Sequence, residues 1–424
     1  MLDLKIIREN PKLVEDNSRN RLAPVNISDF LKLDEEIRTL KVKAEELRAE
    51  RNRYSKTKPD QEIIAKMKKL GEDLKADEEN LALKEDEFKK IHASIPNLSH
   101  RDVKVSDDEN DNPIIGQFGE VKKFDFKALD HVELANQLDL IEFERATKVS
   151  GAKFYYLKND LALLEFALIQ YALEILVKKG FGIFTSPDLA KKEVLEGLGF
   201  NPRGDSTQVY SIENSDLCLI GTAEITLGGL HKDEILEEQD LPKKYAAVSH
   251  CFRTEAGSYS KFSKGIFRVH QFTKIEMFQF VKPEDSEKAH EELLEIEKEI
   301  FSGLGLTFRI VDHCTADLGA PSMRTFDLEA WMPGKPNNDG TDGDWAEVTS
   351  ASNCGDYQAR GLNIKFKREN GDKEFVYTLN GTAIAITRCL IAILENYQEK
   401  DGSIFIPEVL RKYFSDSKER IVKK

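Results

Sequence analysis

The chain has 424 residues, enough for more than one domain and for a sizeable core. Its hydrophobic fraction of 40% and charged fraction of 33% exclude a membrane-embedded chain, since no apolar run approaches the roughly 18 residues of a membrane span. The formal net charge of −14 argues against a uniformly nucleic-acid-binding surface and directs attention to local charge.

The start, MLDLKIIRENPK, lacks an apolar signal region, so a cytoplasmic location is the expectation. Five scattered cysteines without a CxxC pair argue against both a disulfide framework and a structural zinc site. The adjacent pair His313-Cys314 reads as ordinary packing rather than a metal site.

From Leu33 the apolar positions step by alternating fours and threes through Ile37, Leu40, Ala44 and Leu47 to Tyr54. After TKPD the stepping resumes at Ile63 and runs through Met67, Leu70, Leu74, Leu81, Phe88 and Ile91 to Ile95. This heptad spacing predicts a long helical coiled coil over about 29–95. Pro59 can occupy the first turn of the second helix, where a missing N–H costs little. So short a link forces the two helices antiparallel. About thirty residues at 1.5 Å each reach roughly 45 Å, too thin an arm to enclose a pocket. It is a lever or a grip.

Between Arg48 and Lys69 stand eight basic and three acidic residues, whereas Glu72, Asp73, Asp77, Glu78 and Glu79 turn the sign further back. A charged helix face is usually just solvated surface. A basic tip on an acidic molecule points instead to a phosphate-backbone contact.

PNLSHRDVKVSDDENDNP (96–113) is polar and aperiodic and reads as a linker. It separates an N-terminal domain, 1–105, from a second domain, 106–424. Beyond it AKFYYL and VYSI read as strands, DLALLEFALIQYALEILVKKG as an apolar helix and DSEKAHEELLEIEKEIFSGLG as a patterned one. FRIVD, TFDLEAWM, WAEVTSAS, NIKFK and FVYTL are strand-like, and AIAITRCLIAILENYQ reads as a closing helix. Consecutive strands with short turns predict an α+β fold, an antiparallel β-sheet flanked by helices. Neither GxxxxGK[ST] nor GxGxxG occurs, so a nucleotide would have to be held by side chains.

The stretch RTEAGSYSKFSKGIFRVHQFTKIE (253–276) alternates like a strand from Ile266 on. Phe267, Val269, Ile275 and Met277 fall on one face, and Arg268, His270, Phe272, Lys274 and Glu276 on the other. HCFRTE places Arg253 and Glu255 on one side of a partner strand. Further polar clusters are Thr222 and Glu224 in GTAE, Glu347, Ser350 and Asn353 in WAEVTSASN, and Asn380, Thr382 and Arg388 in LNGTAIAITR. Each is weak alone; a lone arginine such as Arg388 in an apolar helix is usually paired or snorkelling.

Together these segments resemble the signature segments of the class II aminoacyl-tRNA synthetases, and among them the seryl-tRNA synthetase family. The resemblance covers nearly the whole chain, from MLDLKIIRENPKLV through HVELANQLDLIEFERATKVSGAKFYYL, GTAE and CFRTEAGS to TADLGAPSMRTFDLEAWMPG, EVTSASNCGDYQAR, LNGTAIAITRCLIAILENYQ and DGSIFIPEVL. It implies a coiled-coil tRNA-binding domain followed by a class II catalytic domain. The implied activity is that of a ligase activating L-serine with ATP to seryl-adenylate and passing the seryl group to tRNA(Ser), and to tRNA(Sec) where that tRNA exists. A homodimer, no membrane and Mg²⁺ beside the ATP substrate are part of the same implication.

By resemblance, Arg253 bridges the α-phosphate and the amino-acid carboxylate, and Arg388 holds the γ-phosphate of a bent ATP. Thr254, Glu255, Val269 and Phe272 serve the ATP, with Phe272 stacking on adenine. Glu347, Val348, Thr349 and Ser350 line the phosphates, Glu347 and Ser350 binding Mg²⁺, a hard cation suited to oxygen ligands. Glu276 accepts from the serine hydroxyl, Thr222, Ala223 and Glu224 meet the α-amino group, and Asn380 and Thr382 close the side-chain end. Arg51, Arg53, Lys56, Lys66 and Lys69 of the arm contact the tRNA backbone.

Three places depart from the commonest family pattern. TAD (315–317) stands for TGD, QARG (358–361) for QARR, and NGT with TR (380–382, 387–388) for NGS with GR. Two rival readings are a carrier ligase derived from a synthetase and a non-catalytic paralogue. The intact arm speaks against the first, and Arg253, Glu276, Glu347 and Arg388 against the second.

Overall fold

The computed structural model describes residues 1–55, 60–200, 208–256, 262–337 and 342–423. The chain divides into two compact units, Met1–Leu98 and Ser99–Lys424.

The first unit opens with two short helices, α1 (Leu4–Glu9) and α2 (Pro11–Asn20), and continues into two long ones, α3 (Ile27–Tyr54) and α4 (Gln61–Ser94). Asn26 caps α3 by accepting from the Asp29 amide, and Asp60 caps α4 by accepting from Ile63, each satisfying a donor the helix leaves open. Leu33, Ile37, Ala44, Leu70 and Leu74 are buried, as the heptads require, and Phe30 stacks on Phe88 with ring centroids 4.6 Å apart. Ion pairs cross the seam: Glu36–Lys84, Lys41–Glu85, Lys43–Asp77 and Glu50–Lys66. From Glu36 to Glu50 on α3 the partners fall from Lys84 to Lys66 on α4, so the helices are antiparallel. Such solvent-screened pairs set register more than stability. Pro59 and Lys56 lie outside the described residues.

The second unit is built on eight strands: β1 (Ile114–Phe118), β2 (Gly182–Thr185), β3 (Lys243–Phe252), β4 (Gln271–Val281), β5 (Phe308–Asp312), β6 (Arg324–Pro336), β7 (Asp342–Asn353) and β8 (Tyr377–Ala385). Their order in the sheet is β1-β5-β6-β7-β8-β4-β3-β2, antiparallel throughout except where β2 joins β3. One side is packed by the helices α5 (Asn159–Lys178), α8 (Ser286–Gly303) and α10 (Ile386–Asn396), whose Leu164, Leu168, Leu293, Ile300, Leu390 and Ile393 are buried with Ile275, Met277 and Leu328. A smaller core lies around Phe278 and Phe280 of β4, with α6 (Lys192–Leu198), α7 (Glu224–Gly228) and α9 (Tyr357–Leu362) gathered about it.

Several sequence expectations are corrected here. The strand expected from Ile266 begins at Gln271, because Ile266–His270 form turns and bends. β3 ends at Phe252, so Arg253 and Glu255 stand on the loop beyond it, with Glu255 at a φ of 53°. Only Tyr156–Leu157 of AKFYYL forms a strand, and VYSI contributes a single bridge at Ser211. Ala383, Ile384 and Ala385 extend β8 instead of opening α10, which starts at Ile386. The polar stretch read as a linker belongs from Ser99 on to the second unit. Hydrogen bonds fasten it there: His100 to the Met323 carbonyl, Ser106 to Thr315, and Asn112 to Asp317. Composition signalled a loop correctly, but not that its polar groups had partners.

Candidate active site

Two single-residue bulges build the floor of a cleft. Opposite residues in a sheet share a face. Along β6 and β7, Asp327 faces Ser350 and Leu328 faces Thr349, yet Glu329 faces Glu347, leaving Val348 as the extra residue. Without that bulge Glu347 and Ser350, three apart, would point to opposite sides; with it they share one. A second bulge at Ala383 does the same for β8, so that Thr382, opposite Glu276, and Ala385, opposite Lys274, both face the cleft.

The cleft is lined by Arg253, Glu255, Arg268, Val269, Phe272, Lys274, Glu347, Thr382 and Arg388 among others. The Arg253 guanidinium lies 5.4 Å from the centre of the Phe272 ring, and its Nε donates to the Gly221 carbonyl at 3.3 Å. His270 holds the Arg253 backbone carbonyl through Nδ1 at 2.9 Å. Arg268 pairs with Glu255 at 3.3 Å, and the Thr254 amide donates to the Gln208 carbonyl. On the other wall Arg388 projects from the start of α10. Its Nη1 donates to the Glu347 carbonyl at 2.8 Å and meets the carboxylate at 3.0 Å, while the guanidinium lies 5.0 Å from the Phe267 ring. Arg388 is thus a paired residue as well as one that lines the cleft. Desolvation works to raise the Glu347 carboxyl, but Arg388, Arg253 and His313 together outweigh it and hold the group below its ordinary range.

Deeper in, Lys274 is buried against Glu276 and also reaches Thr382 Oγ1 at 3.4 Å. Thr382 in turn donates to Glu276 at 3.3 Å. Glu224, at the start of α7, receives Gln358 Nε2 at 2.7 Å and Asn380 Nδ2 at 3.1 Å, both on Oε1. Burial, then the neighbouring Glu276, pushes the Glu224 carboxyl up to about 7. Thr222 accepts from the Glu224 amide at 3.2 Å, and Ala223 is fully buried beside it. This pocket is an acidic floor with one buried lysine, suited to a small zwitterion. Ser350 lies apart from the lining, opposite Asp327. There His313 Nε2 meets the Asp327 carboxylate at 2.9 Å. Burial lowers His313, but the carboxylates of Asp327, Asp317 and Glu347 together outweigh it and push it up to about 9. Asp327 itself is pushed up to about 6 by burial and by Glu347, so the attraction shows on one partner only. Cys314 donates instead to the Asp108 carbonyl, so His313 and Cys314 share no site.

Sequence reasoning missed four contributors. Lys274 was visible as the residue between Phe272 and Glu276 on the same lane. Gln358 was quoted only within QARG. Glu297 sits on the buried stripe of α8, receives the Thr349 hydroxyl at 2.8 Å, and burial raises its carboxyl well above the ordinary range. A charge at an apolar stripe position was its signal. Asp327 came together with His313 only through the fold. Arg51, Arg53 and Lys69 lie where α3 ends and α4 begins, and Lys66 is held there by the Tyr54 hydroxyl and Glu50. Among the described residues, no group of three or more His, Cys, Asp or Glu could hold a metal, and no helix is long and apolar enough to cross a membrane.

Comparison with known proteins extends over both units. Residues 1–99 match the model of the seryl-tRNA synthetase N-terminal domain, and residues 208–397 that of the tRNA synthetase class II core domain (G, H, P, S and T). A serine--tRNA ligase of Treponema denticola is 50% identical, covering 97% of this chain and 98% of its own. One of Dictyoglomus thermophilum is 49% identical, covering 98% and 99%. Among solved structures, the seryl-tRNA synthetase of Pyrococcus horikoshii complexed with ATP superimposes with a TM-score of 0.86 at 38% identity, covering 100% of both chains.

Proposed function

The chain belongs to the seryl-tRNA synthetase family of class II enzymes, and on that footing we propose how its cleft joins serine to ATP and then to tRNA. It is an aminoacyl-tRNA ligase, a serine--tRNA ligase by family. The observation carrying the site assignment is the placement of two guanidinium groups, Arg253 and Arg388, in one cleft above an acidic pocket. Adenylate formation brings a carboxylate against the α-phosphate of ATP, two anions that repel. The barrier falls by neutralising and aligning them; little proton transfer is needed.

In this reading Arg253 bridges the serine carboxylate and the α-phosphate, and Phe272 stacks on adenine. Glu255, Thr254 and Val269 border the base, and Arg388 takes the γ-phosphate. The carboxylate oxygen attacks phosphorus, the bond to the bridging oxygen breaks, and diphosphate leaves. Glu224, with Thr222 and Ala223, receives the ammonium group. Glu276 and Thr382 meet the hydroxyl, Asn380 holds Glu224 in place, and analogues lacking the hydroxyl leave those buried groups unpaired. The 3′-hydroxyl of tRNA(Ser) then attacks the carbonyl carbon, and AMP leaves.

Mg²⁺ fits the donors present: Glu347 is ionised and half-exposed, Ser350 shares its face through the bulge, and a cation completing its shell with phosphates and water needs few protein ligands. When bound, it supplies charge neutralisation between the phosphates. Val348 and Thr349 line the same phosphate wall. The basic end of the arm, with Arg51, Arg53, Lys56, Lys66 and Lys69, grips the tRNA, and tRNA(Sec) belongs to the same reading where that RNA exists. A homodimer is supported by the exposed apolar Leu163, Phe166 and Val177, which helical spacing places along one stripe of α5. Protein synthesis places the activity in the cytoplasm. Serine-dependent ATP–diphosphate exchange tests the assignment: exchange with serine well above threonine or no amino acid is expected, and its absence would overturn it.

A further inference from the structure

Gln358 has no exposed surface and no role in the steps assigned above, yet its amide nitrogen donates to Glu224, which has one. Its Nε2 donates to Glu224 Oε1 at 2.7 Å and to the Leu198 carbonyl at 3.3 Å. Its Oε1 accepts from the Thr378 hydroxyl of β8 at 2.8 Å. The amide is therefore fixed at both ends and cannot flip without losing partners on three elements.

A close approach of two helices sets its position. A Cβ added to Gly361 of α9 would lie 1.9 Å from the Gly197 carbonyl oxygen of α6, and one added to Gly197 would meet Leu362 at 2.5 Å. Only glycine on both sides lets the backbones touch. The next carbonyl along α6, that of Leu198, is the one Gln358 takes. Asn380 shares Glu224 Oε1 with Gln358, so both donors occupy one oxygen and Oε2 is left for a cation.

We propose that Gln358, seated by the Gly197–Gly361 contact, is a positioning residue that orients Glu224 toward the ammonium end of the substrate and so helps select an amino acid. This rests on the reading that Glu224 meets the ammonium group. The surroundings give it a second effect. Burial and Glu276 raise Glu224, while Gln358, Lys274 and Arg253 act to lower it. Removing Gln358 takes away a donor that favours the charged carboxylate, the form that attracts an ammonium group more strongly.

The test uses the full chain and serine-dependent ATP–diphosphate exchange from pH 6 to 9. Gln358→Met keeps volume and removes both polar atoms. The KM for serine should rise roughly tenfold to a hundredfold, as for a lost hydrogen bond to a charged group. The KM for ATP should stay within about twofold, since Gln358 touches no residue assigned to ATP. The acid limb of kcat/KM for serine should move to higher pH. Thr378→Val, which frees only the far end of the amide, should produce a smaller shift in the same direction and guards against misfolding of the first variant. Unchanged serine KM and acid limb in both variants would overturn the proposal. So would serine and ATP constants rising together, which marks general loosening. A parent enzyme showing no exchange with serine would instead remove the reading of Glu224, and the proposal with it.

Discussion

Placing the arginine common in the family at position 361 should damage this chain, and the structure says by how much. The first atom of any side chain there would sit 1.9, 2.6 and 2.9 Å from the oxygen, carbon and Cα of Gly197. Ordinary contact is 3.4 Å or more, and the obstacle is backbone, so α6 and α9 must part by about 1.5 Å. Overpacking of this kind costs about 1–3 kcal/mol. Parting the helices also strains the Gln358 bond to Leu198, worth about 1 kcal/mol. Loss of a helical glycine returns somewhat under about 1 kcal/mol. The net is about 1–3 kcal/mol for Gly361→Ala and no less for Gly361→Arg. Trp331 and Trp345, the chain's two tryptophans, both lie in the second unit, so fluorescence during urea unfolding follows that unit alone. Gly71→Ala is the control: nothing lies within 4 Å of its added carbon in α4, so the fluorescence transition should not move and helical ellipticity should gain slightly. Gly361→Ala unfolding at or above the parental midpoint would refute the reasoning.

Glu224→Gln should stabilise the second unit while removing serine affinity. The folded group titrates near 7 against an ordinary 4.5, so it prefers to fold protonated. The penalty for burying its charge is absent below 4.5, grows as pH rises to about 7 and is constant above, at about 3 kcal/mol. The variant's advantage in urea should appear at pH 8 and vanish at pH 4.5; an advantage independent of pH would count against a buried charge. Arg388→Ala should lower adenylate formation about 10²–10³-fold through the ATP terms, measured by diphosphate exchange at saturating serine. Near-parental exchange would remove Arg388 from the phosphate site. Replacing Arg51, Arg53 and Lys69 together by alanine should weaken tRNA charging and flatten its salt dependence while leaving exchange intact; charging at the parental rate would take the arm out of RNA binding.

How much of this was legible in the sequence depends on the range of the interaction concerned. The arm was legible because heptad spacing is local: Leu33 and Leu70 are buried for reasons their own helices display. The strands of FRIVD and TFDLEAWM were legible for the same reason. The start of α10 was not. Ala383, Ile384 and Ala385 have good helical character, yet pairing with Ile275 and Lys274 holds them in β8. Glu255 escaped because alternation carries no mark where a strand stops.

The site divides along the same line. Its charges were readable by type, and resemblance supplied their roles, but their convergence depends on features with no local signature. Glu347 and Ser350, three apart in a strand, ought by alternation to face opposite ways, and one inserted residue at Val348 brings them together. QARG shows the reverse error. Read as a lost arginine, Gly361 looked like an absence; in the fold it is what allows two backbones into contact and seats Gln358 over Glu224. A residue defined by what it lacks acts through the neighbour that fills the space, and that neighbour, Gly197, lies far away along the chain. Departures from a family pattern are therefore better weighed by what now occupies the vacated volume than by the side chain removed.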